Sequence, residues 1–139
     1  MPDYHKNLWA PWRMAYIRTL AEESDEGCFL CQYRAASNDD AAHHVIRRTG
    51  GMMVLLNRFP YSNGHLMIAP LAHKAKLADL CAAEMSDCMR LMVESQDALR
   101  ACVHAQGFNL GMNVGTCAGA GVPDHLHWHV VPRWGGDTY

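Results

Sequence analysis

His125, His127 and His129 occupy every second position of the stretch Gly121-Val-Pro-Asp-His-Leu-His-Trp-His-Val-Val-Pro-Arg-Trp134. Successive side chains of a β-strand point to opposite faces, so a strand here puts the three imidazoles on one face, roughly 6.6 Å apart at a rise of about 3.3 Å per residue. Leu126, Trp128 and Val130 then face a core. Three imidazoles in a row supply nitrogen nucleophiles, proton carriers and metal ligands. They also fit two plainer readings: a solvent-facing strand, or a three-imidazole metal site of the kind found in His₃ zinc enzymes.

A second chemical cluster is Cys28-Phe-Leu-Cys31. A lone C-x-x-C serves redox or zinc chemistry, but no βαβ pattern follows it as a thioredoxin-like motif requires, which favours zinc. Zinc needs about two further ligands, usually histidines, and His43 and His44 are candidates on sequence grounds. The stretch 116–124, rich in glycine and directly before the histidines, can bring backbone N–H groups close to an anion. The segment 7–18 packs Trp9, Trp12 and Tyr16 with Arg13 and Arg18. Such an arm covers a nucleotide base or a partner subunit, or simply staples the N-terminus to the core.

These groups need a scaffold, and 139 residues, half of them apolar, fit one domain spanning 1–139, with 1–27 as arm and loop. A formal charge of −2 argues against a nucleic-acid backbone or an anionic membrane as partner. No apolar run approaches the roughly 18 residues of a membrane span, and the N-terminus lacks a signal-peptide core, so a cytoplasmic location and reduced cysteines are expected. Apolar runs bounded by turn residues predict strands near 44–48, 52–57, 64–69, 108–114 and 125–131. From Leu77 to Gln106 the apolar positions recur with helical period, and Cys81-x-x-Glu84 reads as a capping box that starts the helix near Ala82, with Gly107 as its stop. Cys81, Cys88 and Cys102 fall on the apolar stripe as buried thiols.

The histidine run followed by Pro132-Arg133 resembles the signature of the histidine-triad (HIT) family of nucleotide hydrolases and transferases. Leu8-Trp-x-Pro-x-Arg-Met-x-Tyr-Ile17 is similar to the N-terminal segment of a bacterial subgroup that includes diadenosine polyphosphate phosphorylases. Gly64-His-x-x-φ-φ-Pro70 and Asn113-Val-Gly115 match family patterns as well. The resemblance implies an α+β fold, an antiparallel sheet of about five strands with one long helix packed on it, and a homodimer. It implies an adenine nucleotide substrate, either a dinucleoside polyphosphate or a nucleoside phosphoramidate, cleaved at the α-phosphate.

In such proteins the middle histidine, here His127, attacks phosphorus, while His129 donates to a phosphate oxygen and His125 completes the triad. Asn57 takes the place of the polar residue that holds the ribose, and Leu56, Asn113, Gly121, Val122 and His129 complete the nucleotide contacts. Zinc is implied at Cys28, Cys31, His73 and His125, a closed set of four that leaves the ion a structural role. His65 reads as structural. Two departures stand out: some family branches carry polar residues at Gly121 and Val122, and related bacterial sequences run on past the point where this one ends at Tyr139, so that a less stable or less active chain is expected if that extension completes the dimer or the pocket. A non-catalytic nucleotide sensor or zinc-stabilised interaction module is the contrasting reading, although binding alone needs no nucleophile.

Overall fold

The computed structural model describes residues 14, 15, 18 and 27–137; the rest of the aromatic arm and the acidic stretch after it lie outside the described residues. Helix α1 (Phe29–Ala35) precedes strands β1 (Val45–Thr49), β2 (Met52–Leu56) and β3 (Leu66–Pro70). The long helix α2 (Ala82–Val103), β4 (Gly107–Gly111) and β5 (Trp128–Arg133) follow. The five strands form one sheet in the order β1-β2-β3-β5-β4, with every neighbouring pair antiparallel. No helix among the described residues is long and apolar enough to cross a membrane.

The sheet is covered on both faces near its centre. This is why β2 reads Met-Met-Val-Leu-Leu, with four consecutive buried residues rather than an alternation. Met52, Val54, Leu66, Ile68 and Val130 pack under Cys88, Leu91, Met92 and Leu99 of α2. Met53, Leu55, Met67 and Ala69 face the other way, together with Val45 and Leu30 of α1. Since Met67 pairs with His129 across β3 and β5, His129 lies on the face opposite the long helix.

Helix α2 begins as its sequence indicates: Cys81 is the N-cap, and the Glu84 carboxylate accepts the Cys81 N–H at 2.8 Å. Its end comes earlier than expected. His104, not Gly107, reverses the chain in the left-handed region at φ 54°. The reason lies in the sheet: Gln106 N–H already donates to Arg133 O at the start of the β4–β5 pairing, so the turn must be complete before Gly107. Cys88 is buried on the helix as expected, whereas Cys81, at the cap, and Cys102, in the last turn, are exposed. Strand β3 starts at Leu66 rather than at 64, because Gly64 (φ +82°) and the His65 N–H, which donates to Ser62 O, close a turn there. A side chain at Gly64 would meet Leu99 Cδ2 at 2.9 Å, so glycine is required by both torsion and space.

The histidine strand is also shorter than its alternation suggests. The β3–β5 ladder reaches only to Ile68 and Trp128. Beyond them β3 ends in Pro70, which has no N–H to donate. The Pro70 carbonyl instead accepts the His125 ring N–H, and Leu126 N–H donates to Lys74 O. Residues 125–127 therefore leave the ladder, and Leu126 and His125 are both buried.

Candidate functional site: alternating histidines beside a Cys₂His₂ cluster

Cys28 caps α1 and Cys31 lies in its first turn, so the C-x-x-C spacing turns both thiols to one side. His73 follows β3, and His125 arrives from the loop before β5. The two segments are joined by the Leu126–Lys74 bond, while Arg34 of α1 donates to Leu71 O at 3.1 Å. The donor atoms of Cys28, Cys31, His73 and His125 all lie within 4.8 Å of one another, the one such group among the described residues that includes a triad histidine.

Metal–ligand lengths of about 2.3 Å to sulfur and about 2.0–2.1 Å to nitrogen put S and N donors about 3.6 Å apart in a tetrahedron. The observed separations are 3.2 Å for Cys28 Sγ to His125 Nδ1, 3.2 Å for Cys31 Sγ to His73 Nδ1 and 3.6 Å for Cys31 Sγ to His125 Nδ1. The residues fit a tetrahedral ion. Burial, with the Cys31 thiol alongside, pushes the Cys28 thiol up, a tendency that a divalent cation reverses by deprotonating its thiol ligands. His125 is prepared for the same role. A carbonyl only accepts, so the 2.8 Å contact with Pro70 O fixes the proton on Nε2 and aims the Nδ1 lone pair at the thiols. His43 and His44 are not part of the group; His43 stacks on Tyr33 with centroids 4.2 Å apart.

His127 is oriented by the same logic. Its Nδ1–H donates to His125 O at 3.0 Å, which leaves the Nε2 lone pair available. Burial lowers its proton affinity, which favours the neutral ring. The His129 ring stands edge-on to it, with centroids 5.1 Å apart. With His125 committed to the cysteines and His127 to a backbone carbonyl, the three imidazoles do not converge on one ion. The three-histidine metal site is not what this chain builds.

Asn57 follows β2, and its Oδ1 accepts the Phe59 N–H at 2.8 Å, which leaves its NH₂ as the donor of the carboxamide. Leu56 pairs with Leu66 at the end of β2, on the helix side of the pleat, and is partly exposed. Gly121 and Val122 lie in the loop that turns into His125, whose N–H donates to Val122 O. Asn113 braces this loop from behind by donating Nδ2–H to Gly119 O at 3.3 Å. Gly115 (φ +86°) and Gly119 (φ +91°) give the loop its left-handed corners. His65, read from the sequence as structural, is fully buried and touches His129 at 2.8 Å, a contact that the residue pattern did not name. The available signal was a histidine at the head of an apolar strand that must pair beside another histidine strand.

A model of the HIT domain matches residues 38–136 of this chain. An AP-4-A phosphorylase of Mycobacterium tuberculosis is 33% identical over 140 residues, a match covering 98% of this chain and 72% of that protein. The asymmetrical bis(5'-nucleosyl)-tetraphosphatase of Schizosaccharomyces pombe is 30% identical over 89 residues, covering 64% of this chain and 48% of that protein. A Zn-bound histidine triad family protein from Mycobacterium smegmatis has a solved structure that aligns with a TM-score of 0.66 at 29% identity, covering 77% of each chain. Sequence, fold and the placement of the three alternating histidines thus agree, and this chain belongs to the HIT domain family.

Proposed function

We propose that this chain is a nucleotide hydrolase or nucleotidyl transferase that cleaves at the α-phosphate of a dinucleoside polyphosphate or nucleoside phosphoramidate, through a nucleotidyl-histidine on His127. The observation that carries this reading is the His127 ring: buried, and bound at Nδ1 to a backbone carbonyl so that Nε2 is a lone-pair donor. The activities named for the mycobacterial and yeast relatives point to the same chemistry.

In the first step His127 Nε2 bonds to the α-phosphorus, and the bond from that phosphorus to the bridging oxygen of a polyphosphate, or to the nitrogen of a phosphoramidate, breaks, the leaving group keeping the electron pair. Water or inorganic phosphate then attacks the adduct and releases His127. A neutral nucleophile gains positive charge in the first step, and the desolvated site must balance charge on the phosphate oxygens. His129 donates to one of them, and the amides of Gly121 and Val122 serve where other family members use side chains. Asn57 donates to a ribose hydroxyl, Leu56 borders the nucleoside, and Asn113 holds the loop in shape. Zinc, bound by Cys28, Cys31, His73 and His125, supplies no catalytic chemistry, because four protein ligands leave no open position. What it secures is His125, whose carbonyl orients the nucleophile.

The reading extends to a cytoplasmic homodimer. Six free cysteines fit a reducing compartment. β4 lies at the sheet edge with Leu110 exposed, which suits pairing with a second copy. The test is incubation with diadenosine tetraphosphate, with and without inorganic phosphate, alongside ADP and an adenosine phosphoramidate. ATP with AMP marks a hydrolase, ATP with phosphate-dependent ADP marks a phosphorylase, and binding without any product would leave the sensor reading in its place.

A further inference from the structure

His127 is aimed by one peptide unit, the one that joins His125 to Leu126. Its carbonyl accepts His127 Nδ1–H at 3.0 Å, and its N–H donates to Lys74 O at 2.8 Å. A peptide unit is planar and trans, so these two groups point to opposite sides of one rigid plate. Fixing the N–H therefore fixes the direction of the carbonyl, and with it the ring of His127. The sheet does not supply this hold. The β3–β5 ladder ends at Ile68 and Trp128, and Lys74 O stands where a ladder partner would.

Lys74 itself lies outside helix and strand, in the segment that follows β3, so it can hold a neighbour only as firmly as it is anchored. Its anchor is its own side chain. Lys74 Nζ lies 2.7 Å from Glu84 Oε2 in the first turn of α2, and the same carboxylate oxygen accepts the Cys81 N–H at 2.8 Å. The two side chains are only 25% and 12% exposed, and a Cβ at Gly51 would meet Glu84 Cγ at 3.4 Å, so the carboxylate stem lies against the β1–β2 turn. An ion pair shielded in this way is screened far less than one on the surface.

We propose that Lys74 is a positioning residue for the reaction: its Nζ, seated on Glu84, holds its own carbonyl against Leu126 N–H, and the 125–126 peptide transmits that hold to His127. The proposal rests on the functional reading above for what His127 does, but the line of contacts from the α2 cap to the His127 ring is built from the protein's own groups. Zinc would secure the His125 side chain; Lys74 secures the peptide that follows it.

Three substitutions test this in the zinc-loaded protein. Lys74→Met keeps the length of the side chain and removes its charge, Glu84→Gln removes the charge at the other end while keeping an oxygen for the Cys81 N–H, and Lys74→Arg keeps the pair. Zinc per chain is measured by mass spectrometry, exchange of the Leu126 amide by NMR, and the His127 tautomer with ¹⁵N-histidine, its ring signals assigned by their loss in His127→Asn; kcat and KM are taken on a dinucleoside polyphosphate. Expected in Lys74→Met and in Glu84→Gln, at an unchanged ion per chain, are Leu126 exchange faster by roughly tenfold or more, mixed His127 tautomers, and kcat lowered on the order of 10-fold with KM little changed. The double variant should do no more than either single one, and Lys74→Arg should restore all three readings.

Wild-type exchange at Leu126 in Lys74→Met would overturn the proposal. So would lost turnover with the His127 tautomer unchanged, or a loss of zinc in step with turnover, which would put the effect at the metal. If Lys74→Met does not fold, Glu84→Gln decides on the same readings. Faster exchange and mixed tautomers in the variants, beside a wild-type protein without turnover, would uphold the positioning and strike the catalytic reading instead.

Discussion

Replacing Cys28 by serine tests the metal cluster and its coupling to the fold. The substitution removes one of four donors whose separations, 3.2–3.6 Å where they approach most closely, already match a tetrahedral ion. Because Cys28 and Cys31 lie at the start of α1, His73 after β3 and His125 before β5, the ion would cross-link three segments distant in sequence. Binding to the folded state alone stabilises by RT ln(1 + [L]/Kd), about 4 kcal/mol when free zinc is a thousandfold above Kd. For a domain of this size each kcal/mol moves Tm by roughly 3–5 °C, so Cys28→Ser should melt about 10–20 °C lower. Zinc per chain is measured by mass spectrometry and Tm by scanning fluorimetry, with and without chelator. Chelator-treated wild type should melt with the variant, and chelator should leave the variant unmoved. A full ion per chain in Cys28→Ser, or a wild-type Tm indifferent to chelation, would refute the reasoning.

Asn57→Ala should raise KM for ribonucleotides roughly 2- to 10-fold, the worth of one uncharged hydrogen bond, and narrow the preference over deoxyribonucleotides; steady-state kinetics on both sugars checks this. Glu84→Ala removes the acceptor for Cys81 N–H and the partner of Lys74 Nζ at 2.7 Å, so urea unfolding should show a loss of at least the ~1 kcal/mol that a helix cap is worth. The Arg133 guanidinium, helped by the Trp134 N–H, holds the Asp137 carboxyl down from its ordinary 3.8 to about 2. With the folded value depressed, its stabilisation is complete above the ordinary value and is lost as pH falls through about 2. Acid titration of stability in Asp137→Asn should lack that component; an identical acid profile would remove Asp137 from the account.

Much of the fold was legible because local signals and tertiary demands coincide. The helix start at Ala82 follows from the Glu84 capping position, and β2 was visible as an unbroken apolar run. The errors arose where a long-range partner overrode a local pattern. His104 ends the helix because Gln106 must reach Arg133, a constraint carried by a distant strand. His125 leaves its strand because Pro70 offers a carbonyl and no N–H. The site was legible through spacing: C-x-x-C, His73 and the alternating histidines are patterns of residue type, and the resemblance supplied their meaning. The contact of His65 with His129 could not be read that way, because it depends on how β3 is paired with β5.

The central claim is that His127 bears the attacking atom, and trapping the intermediate tests it most directly. Wild type is quenched during turnover of radiolabelled diadenosine tetraphosphate, and the modified residue is mapped beside a zinc-loaded His127→Asn protein. The account predicts an acid-labile nucleotidyl group on His127 in wild type. It predicts none in the variant, which should keep its fold, its zinc and nucleotide binding while losing several orders of magnitude in turnover, since no neighbouring group replaces a missing nucleophile. Substantial turnover by metal-replete His127→Asn, or an adduct on any other residue, would contradict it.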